Sequence, residues 1–518
     1  MNALLGADSF PIPTIEYGAL APILIVLVAA IVSVLVEALV PQAYRRVLQL
    51  VITFAALIGA FVFVVIDRGT AEVVAMGSVV IDGPTLFMQG SILVLAAIAA
   101  LVMAERQVDP AGDGFAPRAS ALPGSDDEQA FTRLGWLQTE VWSLFLFSVA
   151  GMLLFPASGD LLMMFIALEV LSLPLYIMAG LARRRRLLSQ EASLKYFVLG
   201  AFSSAFFLYG TALLYGFAGT VDLGGIATAL TTSAAGNGLV IAGVALLAVG
   251  LLFKIGAAPF HQWTPDVYQG SPTSITGFMA ACTKVAAFGA LMRVMYVALG
   301  GIRWDWRPMM YVIAALTMIV GTLFALTQTD IKRMLAYSSI AQAGFMLIGV
   351  VATSAAGLSG TMVYLLAYGI ATIGAFAIVT LVRDSTGEAT HLSQWAGLGK
   401  RSPWVASAFA LFLLAFAGIP LTSGFTGKFA VFSAGIAGGA TPIVIIGVVA
   451  SAVAAFFYVR VIVLMFFNEP QAEGGPSVVV PSLFTNSAIF VTVALTLVIG
   501  LAPQWVLNLV DQAGIFVR

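Results

Sequence analysis

The feature that most constrains this chain is a succession of apolar stretches, each long enough to cross a lipid bilayer. A transmembrane helix needs about 20 mostly apolar residues, and roughly fourteen stretches meet that requirement. Strands of a membrane barrel would be about ten residues long and would alternate in polarity, which these stretches do not. We therefore predict an all-α membrane protein with about 14 transmembrane helices. The predicted helices, numbered 1 to 14, cover residues 19–39, 47–66, 84–104, 138–156, 160–182, 193–217, 238–258, 272–299, 309–327, 332–353, 359–382, 403–434, 441–467 and 485–508.

The composition agrees with a chain that lies mostly in lipid. Only 9% of the 518 residues are charged and 60% are hydrophobic, whereas a soluble domain has about 25% charged residues. The single cysteine, Cys282, excludes a disulfide framework and a cysteine-ligated iron–sulfur or zinc site within this chain. No glycine-rich nucleotide motif and no basic domain is present. We therefore expect no cofactor, no metal site and no nucleic-acid partner for this chain.

Lysine and arginine are divided unevenly between the two sets of loops. Cytoplasmic loops carry the excess of these residues, so the rich set is predicted to be cytoplasmic and both termini to lie outside. The rich set holds Arg45, Arg46, Arg106, Arg118, Arg133, Arg183 to Arg186, Lys332, Arg333, Arg383, Lys400 and Arg401. The poor set holds Arg68, Arg303, Arg307 and Arg518.

One long polar insertion, roughly residues 105–136, separates helices 3 and 4. Its content of Asp, Pro, Gly and Ser predicts a partly disordered cytoplasmic spacer. The run Arg183–Arg186 is interpreted as a topology determinant in contact with anionic lipid.

Two predicted helices, the seventh and the twelfth, are interrupted by Pro and Gly, in LLFKIGAAPFHQWTPDVYQGSP (251–272) and FAGIPLTSGFTGKFAVF (416–432). Such breaks survive in lipid only where protein or a polar cavity satisfies the freed backbone groups. The breaks lie five helices apart, and five is odd, so helices 4–8 and 9–13 would be inverted repeats. Lys254 and Lys428 lie near the two breaks, which favours an ion-translocating site there.

These features divide the chain into five segments. They are an N-terminal three-helix segment (1–104), a polar cytoplasmic loop (105–137), a first repeat (138–300), a second, inverted repeat (301–468), and a C-terminal loop and helix (469–518).

A few ionisable residues lie inside predicted helices, where each costs at least about 2.5–3.5 kcal/mol and usually has a function. Glu169, Lys254, Lys284 and Lys428 are the main candidates. Lys195 lies near the cytoplasmic end of helix 6, where it could instead snorkel to the interface. Two arginines are interpreted as structural and not as functional. Arg293 would snorkel toward the outer face, and Arg460 would form a structural ion pair.

Buried lysines of this kind can carry protons. Burial disfavours the charged amine, and a nearby carboxylate favours it. A lysine whose carboxylate partner moves is therefore a controllable proton carrier. His261, near the break in helix 7, could join such a relay. Bridging waters could be held by Ser203, Ser204, Thr283 and Ser423.

Three stretches carry a family resemblance: FKIGAAPFHQWTPDVYQGSPTSITGFMAACTKVAAFG, ALTQTDIKRMLAYSSIAQAGFML and FAGIPLTSGFTGKF. They resemble the antiporter-like, proton-translocating membrane subunits of respiratory complex I, the NADH:quinone oxidoreductase. The phrase HQWTPDVYQG is the form of one of these subunits, whereas its sisters more often carry a His–Leu–Pro–Asp–Ala pattern. The resemblance is strong over about residues 138–467.

The resemblance implies roles for individual residues. Glu169 would pair with Lys254 and control proton uptake, Lys284 would be the central lysine, and Lys428 would lie on the outward branch. Lys195 matches a cytoplasmic-side lysine of the family. The insertion at 105–136 departs from shorter relatives, so no role is transferred to it.

The resemblance also implies partners and a location. NADH, FMN, iron–sulfur clusters and quinone would bind other subunits of the complex, and this chain would be its non-redox translocase subunit. Partners would be the other membrane subunits, including sister antiporter-like subunits, and the lipid bilayer of a bacterial inner membrane.

Two other functions remain open at this point. One is a subunit of a multi-subunit cation/proton antiporter, without redox partners. The other is a structural membrane scaffold. The HQWTPDVYQG form and the helix count favour the respiratory subunit.

Overall fold

The computed structural model describes residues 15–109, 112–118, 120–122, 125–134, 137–232, 238–384, 387–470 and 476–517. Each predicted span overlaps at least one helix, and we label the helices α1 to α14 accordingly; the helix after the first break, Trp263–Gly270, lies beyond the predicted span 238–258. They are α1 Tyr17–Leu39, α2 Gln42–Ile66, α3 Gly83–Met103, α4 Val141–Leu154, α5 Leu161–Ala179, α6 Arg186–Ala218, α7a Gly238–Ile255, α7b Trp263–Gly270, α8 Thr273–Ala298, α9 Arg303–Thr327, α10 Ile331–Val351, α11 Ala355–Leu381, α12a Pro403–Ala417, α12b Ser423–Ala437, α13 Thr441–Phe467 and α14 Leu483–Leu501.

The prediction of an all-α membrane protein is confirmed. Twelve helices of the described ranges are long and apolar enough to cross a membrane, and Val141–Ala157 and Pro403–Ala417 are shorter apolar helices. The figure of fourteen crossings therefore stays a prediction, and so do the inverted repeats. Small elements complete the fold: helices Asp126–Arg133, Leu223–Thr232, Leu398–Arg401 and Gln504–Gln512, and strands Glu72–Val74, Val79–Ile81, Val382–Asp384, Gly387–Glu388 and Ser477–Val478.

Several membrane helices begin where a short polar side chain can cap them. Such a side chain accepts a hydrogen bond from one of the free N–H groups of the first turn. Asp82 accepts from the backbone N–H of residue 85 at 3.0 Å and starts α3. Asp160, Asp330 and Ser354 cap α5, α10 and α11 in the same way.

The centre of the molecule is formed by α8, α10 and α11. Burial within the protein reaches 100% of the most apolar window in α8 and 94% in α10 and α11, against 33% in α2 and 39% in α1. A helix that is apolar all round must be covered by protein or by lipid, so the outer helices present their apolar faces to the bilayer. α8 also contains two π-helical turns, Met279–Thr283 and Val294–Ala298.

Both predicted breaks are real. Gly256 (φ +79°) follows α7a and Gly418 (φ +81°) follows α12a, and glycine adopts this left-handed conformation without steric cost. At the first break, the Trp263 indole N–H donates to the carbonyl oxygen of Phe253 at 2.9 Å. The Thr317 hydroxyl accepts a further bond there, from the backbone N–H of residue 258. Protein atoms therefore satisfy the freed backbone groups, as lipid cannot.

The loops lie on two faces, and each face collects one of the two sets defined by the sequence. On the rich face, Asp330 pairs with His391 in an isolated bridge, and Arg46 donates to the carbonyl oxygen of residue 104. On the poor face, Asp160 bridges to Asp222. Which face is cytoplasmic stays a prediction, and Arg518 and residues 1–14 lie outside the described residues.

The first part of the polar insertion, up to residue 117, is packed, which differs from the prediction of a spacer, whereas most of the described residues from 118 to 134 are exposed. Phe115 is buried and bridges to Ala182. Asp113 accepts from Arg183 at 2.8 Å; burial raises the pKa of this carboxyl group, although the guanidinium opposes the rise. The segment is held because its carboxylates meet arginines of a neighbouring loop.

The arginine run also binds other parts of this chain, and its contact with anionic lipid stays a prediction. Arg184 pairs with Asp109 at 2.9 Å, and this hydrogen bond raises the pKa of the guanidinium. Arg383, from the loop after α11, pairs with the same carboxylate at 3.1 Å. Arg185 donates to Thr390 at 2.9 Å. The run therefore ties the insertion to the loop that follows α11.

Candidate functional site

Lys254 lies at the end of α7a, immediately before the first break, and is only 3% exposed. Its amine donates to the Ser172 hydroxyl of α5 at 2.8 Å and to the Tyr196 hydroxyl of α6 at 3.1 Å. The Tyr196 ring stacks on Trp263 with centroids 4.6 Å apart. The break therefore holds a buried amine between two hydroxyl groups and next to aromatic rings.

Glu169 does not make the direct ion pair with Lys254 that the sequence led us to expect. Among the described residues, no carboxylate lies within 4 Å of the amine. Ser172, about one turn further along α5 from Glu169, takes that position. The carboxylate acts on Lys254 electrostatically, and its Oε1 is buried without a hydrogen-bond partner. Charge acts over a longer range than a hydrogen bond, so the pair remains coupled.

Lys284 occupies the middle of α8, directly after the π-helical turn. Its amine donates to both the carbonyl oxygen and the hydroxyl group of Ser339 on α10, at 2.6 and 2.8 Å. It also lies 5.3 Å from the centre of the Tyr368 ring. The hydroxyl group of Tyr268 on α7b interacts with the same serine. No carboxylate of the described chain pairs with this central lysine.

Lys428 lies on α12b and binds the end of α12a. Its amine donates to the carbonyl oxygens of Phe416 and Ala417 at 2.9 and 3.0 Å, and to the Ser451 hydroxyl at 2.8 Å. The carboxyl end of a helix carries partial negative charge, so the broken helix replaces a carboxylate. The break and the lysine therefore stabilise each other.

A buried polar bridge connects the neighbourhoods of Lys284 and Lys428. The Tyr458 hydroxyl of α13 makes a short hydrogen bond with Ser338, next to Ser339, and accepts from Gln342 at 3.3 Å. The Gln342 amide also donates to the carbonyl oxygen of Phe416 at 2.8 Å, the same oxygen that Lys428 binds. Tyr364 donates to the other end of that amide.

This bridge was not predicted from the sequence. A signal was present in LAYSSIAQAGF, where three polar residues lie within two turns of an apolar helix. A buried polar residue must find a partner. The partner, Tyr458, lies over a hundred residues away in the chain, so the motif alone could not supply it.

Lys195 takes part in a charged network at one end of α6. Its amine pairs with Asp266 and Glu191, both at 2.7 Å, and Arg333 pairs with the other oxygen of Asp266 at 2.6 Å. The lysine side chain is 42% exposed, so it lies at the surface of this chain, outside the group of three buried lysines.

His261 lies in the break between α7a and α7b. Its Nδ1 is buried and has no hydrogen-bond partner within the described ranges. The structure does not bring the ring into contact with any of the buried lysines, so a place in the relay stays a prediction for this histidine. Ser423 is similar, because its buried hydroxyl also has no partner there.

Two arginines differ from their predicted roles. Arg293 does not snorkel; it is fully buried and pairs with Asp82 at 2.8 Å, beside Thr85. Arg460 makes no ion pair in the described part of the chain, and donates to the carbonyl oxygen of Leu326 at 3.3 Å. Asp82, at the start of α3, supplies a carboxylate partner for the fully buried Arg293. No group of three or more potential metal ligands occurs among the described residues.

Comparison with known proteins identifies a family and relatives. Residues 158–454 match the family described as NADH:quinone oxidoreductase/Mrp antiporter, transmembrane. A Rhodococcus opacus protein named NADH-quinone oxidoreductase subunit N is 61% identical over 99% of both chains. A Streptomyces griseus protein named NADH-quinone oxidoreductase subunit N 3 is 58% identical over 99% of this chain and 96% of the relative.

Two solved structures share the fold over nearly the whole chain. A chain of respiratory complex I from Thermus thermophilus matches with a TM-score of 0.76 and 31% identity, covering 95% of this chain and 100% of that chain. A chain of the Mrp complex from Dietzia matches with a TM-score of 0.79 and 23% identity, covering 96% and 97%. At that lower identity, the second likeness shows the fold alone.

Proposed function

This chain belongs to the NADH:quinone oxidoreductase/Mrp antiporter family of membrane proteins, and we propose that it is the proton-translocating subunit N of a bacterial NADH:quinone oxidoreductase. Relatives that share 61% and 58% of its residues over nearly their full length carry the name of that subunit. The stretch HQWTPDVYQG of this chain also has the form that resembles this subunit. The observation that carries the mechanism is the set of three buried lysines on α7a, α8 and α12b.

In this proposal, protons move from Lys254 to Lys284 and then to Lys428. Glu169 biases the charge state of Lys254 through the electrostatic interaction between them. The last step is supported by the bridge of Ser338, Tyr458 and Gln342. Hydroxyl and amide groups at hydrogen-bond distance can relay a proton or hold the water that does so.

Each lysine has neutral partners that suit a proton carrier. Hydroxyl and carbonyl oxygens stabilise an ammonium group without binding it as strongly as a carboxylate would. An amine held only by such groups can therefore lose its proton when a nearby charge changes. We propose that a change at Glu169, driven from elsewhere in the complex, supplies this switch.

The redox reaction belongs to other subunits in this proposal. NADH, FMN, iron–sulfur clusters and quinone would bind there, and this chain would act as the non-redox translocase. Its partners would be other membrane subunits, including sister antiporter-like subunits, in the bacterial inner membrane with both termini outside. Residues 138–300 and 301–468 would form the two inverted repeats, flanked by 1–104, 105–137 and 469–518.

The second candidate is a subunit of a cation/proton antiporter. The likeness to a chain of the Mrp complex supports this candidate through the fold alone. The identity of 61% to a respiratory subunit over the full length favours the first function. Co-purification with flavin and iron–sulfur subunits would exclude the antiporter.

The proposed function is tested by replacing Lys284 with Met in the assembled complex. Methionine keeps the length of the side chain but cannot bind a proton, so we expect loss of proton pumping by reconstituted vesicles. The control is Lys400→Met, because this lysine is half-exposed on the rich face and lies outside the group of buried lysines. Full pumping and full quinone reductase activity in the Lys284→Met complex would contradict the relay.

A further inference from the structure

A second lysine–glutamate pair, Lys332 and Glu388, lies outside the relay described above. It is on the rich face, where the loops with most lysines and arginines lie. It lines a cavity of about 70 Å³ together with Ser271, Thr273 and Asp109. About 10–15 Å³ is enough for one water molecule, so this cavity can hold several. The lining of this cavity includes both members of the pair, Lys332 and Glu388.

Lys332 is only 2% exposed, although it lies in the first turn of α10. Its amine donates to the carbonyl oxygen of Ser271 at 2.8 Å and lies 3.6 Å from a carboxylate oxygen of Glu388. The same oxygen accepts from the Thr273 hydroxyl at 2.5 Å. Asp330 and Arg185 are the other charged groups that act on the amine electrostatically.

Glu388 lines the cavity, and its carboxylate oxygen Oε2 lies next to the Lys332 amine. Its side chain is 23% exposed, whereas that of Lys332 is 3% exposed. A carboxyl group in this position can exchange protons with water in the cavity, and it is the more exposed of the two groups that line it. The two groups therefore form an ordered pair, with the carboxyl group outside and the amine inside.

The amine lies on the same helix as the partner of the central lysine. Ser339 follows Lys332 by seven residues, which places both on one face of α10 about 10 Å apart along its axis. Lys284 donates to this serine through two bonds. Tyr268 interacts with the serine through its hydroxyl group, and its carbonyl oxygen accepts from Thr276. Polar groups thus occur along the interval between the two lysines.

We propose that Glu388 and Lys332 deliver protons from the rich face to Lys284. This route is separate from the one through Glu169 and Lys254. This inference rests on the proposed function of the lysine relay. A proton from water first binds the Glu388 carboxylate. Its O–H bond then breaks as an N–H bond forms on the neutral amine of Lys332. The resulting ammonium group then loses a proton to a chain of water and hydroxyl groups that the proposal places between the two lysines. At its end, the Ser339 hydroxyl gains a proton from this chain as it gives its own to the neutral amine of Lys284, and no electron is transferred.

The test uses Lys332→Arg and Glu388→Gln in the assembled complex, with proton pumping measured in reconstituted vesicles. Arginine keeps the positive charge but does not release its proton. A merely structural ion pair would therefore survive in Lys332→Arg, whereas a proton carrier would not. Glutamine keeps the shape of Glu388 and its hydrogen bonds. We expect each variant to lose a measurable part of the pumping that Lys284→Met loses, because the route through Lys254 remains.

The matched control is the exposed pair Lys400 and Glu469, 2.6 Å apart on the same face. We expect Lys400→Arg and Glu469→Gln to pump normally. If Lys284→Met loses pumping while Lys332→Arg and Glu388→Gln keep it, the second route is wrong and the relay stands. If all three keep pumping, the proposed function itself fails. Should Lys332→Arg prevent assembly, Glu388→Gln decides alone.

Discussion

At the scale of single residues, Lys428 is held by atoms that a continuous helix would have used internally. The carbonyl oxygens of Phe416 and Ala417 are free only because α12a stops at Gly418. The same glycine lies close to the lysine side chain: a Cβ atom added at Gly418 would be only 2.7 Å from Cδ of Lys428. Backbone conformation and lysine position are therefore coupled at this site.

Gly418→Ala tests that coupling. The left-handed backbone costs alanine about 1–2 kcal/mol, and the methyl group would also displace the Lys428 side chain. We expect the assembled complex to lose proton pumping. Gly439→Ala is the control, since Gly439 has a similar φ of +71° but open space around its Cβ position. Equal loss of pumping in the two variants would show that strain alone matters, and normal pumping by Gly418→Ala would contradict the coupling.

At the scale of elements, α10 carries a series of buried polar side chains along its length. Lys332, Ser338, Ser339 and Gln342 lie along it, and each has a partner on another helix or loop. A buried helix can hold such a series because its own backbone bonds are complete. The start of α10 is therefore important for the position of every one of these groups.

Asp330→Ala should loosen that start. The carboxylate accepts from the backbone N–H groups of Lys332 and Arg333 at 2.9 and 3.0 Å. Loss of an N-cap costs about 1 kcal/mol, so these two amides should exchange hydrogen about fivefold faster. Asp330→Asn keeps a capping oxygen and should exchange nearly as the parent does. Unchanged exchange in the alanine variant would mean that packing alone fixes the helix start.

At the scale of the whole molecule, one face is joined by ion pairs between distant parts of the chain. The Asp109 carboxylate binds Arg184 and Arg383, which come from the loops after α5 and α11. A third loop, before α14, is joined when Ser482 donates to Glu105 at 2.7 Å. Hydrogen bonds to this carboxylate lower the pKa of Glu105 although burial opposes the shift. The insertion therefore connects both predicted repeats.

Asp109→Ala should release the insertion from this face. Removal of this carboxylate takes a partner from two arginines. The pair with Arg383 is mostly buried, and breaking a buried pair costs about 3 kcal/mol; the pair with the half-exposed Arg184 adds little. Residues 105–118 should then be cleaved faster by protease than in the parent. Glu469→Ala breaks an exposed pair, worth about 0–1 kcal/mol, and should not change the cleavage rate. A cleavage rate unchanged by Asp109→Ala would show that apolar contacts hold the segment.

The amino-acid sequence alone determined the helical architecture, the positions of both breaks, the three buried lysines and the family. The reason is that the bilayer constrains each segment locally: backbone groups must pair within the segment, and a charge within it is costly. Such local constraints determine which residue types can occur in each segment, so they can be read from the sequence. The motifs around Lys254, Lys284 and Lys428 added the family assignment.

Only the tertiary structure decided what each charged group touches. Ser172, rather than Glu169, binds Lys254, Arg293 is paired instead of snorkelling, and the first part of the insertion is packed. The bridge through Tyr458 joins α10 to α13. These contacts join residues far apart in the chain, so they depend on how helices pack and not on any local pattern. A lysine can therefore be recognised as buried from its own segment, but its partners belong to other helices.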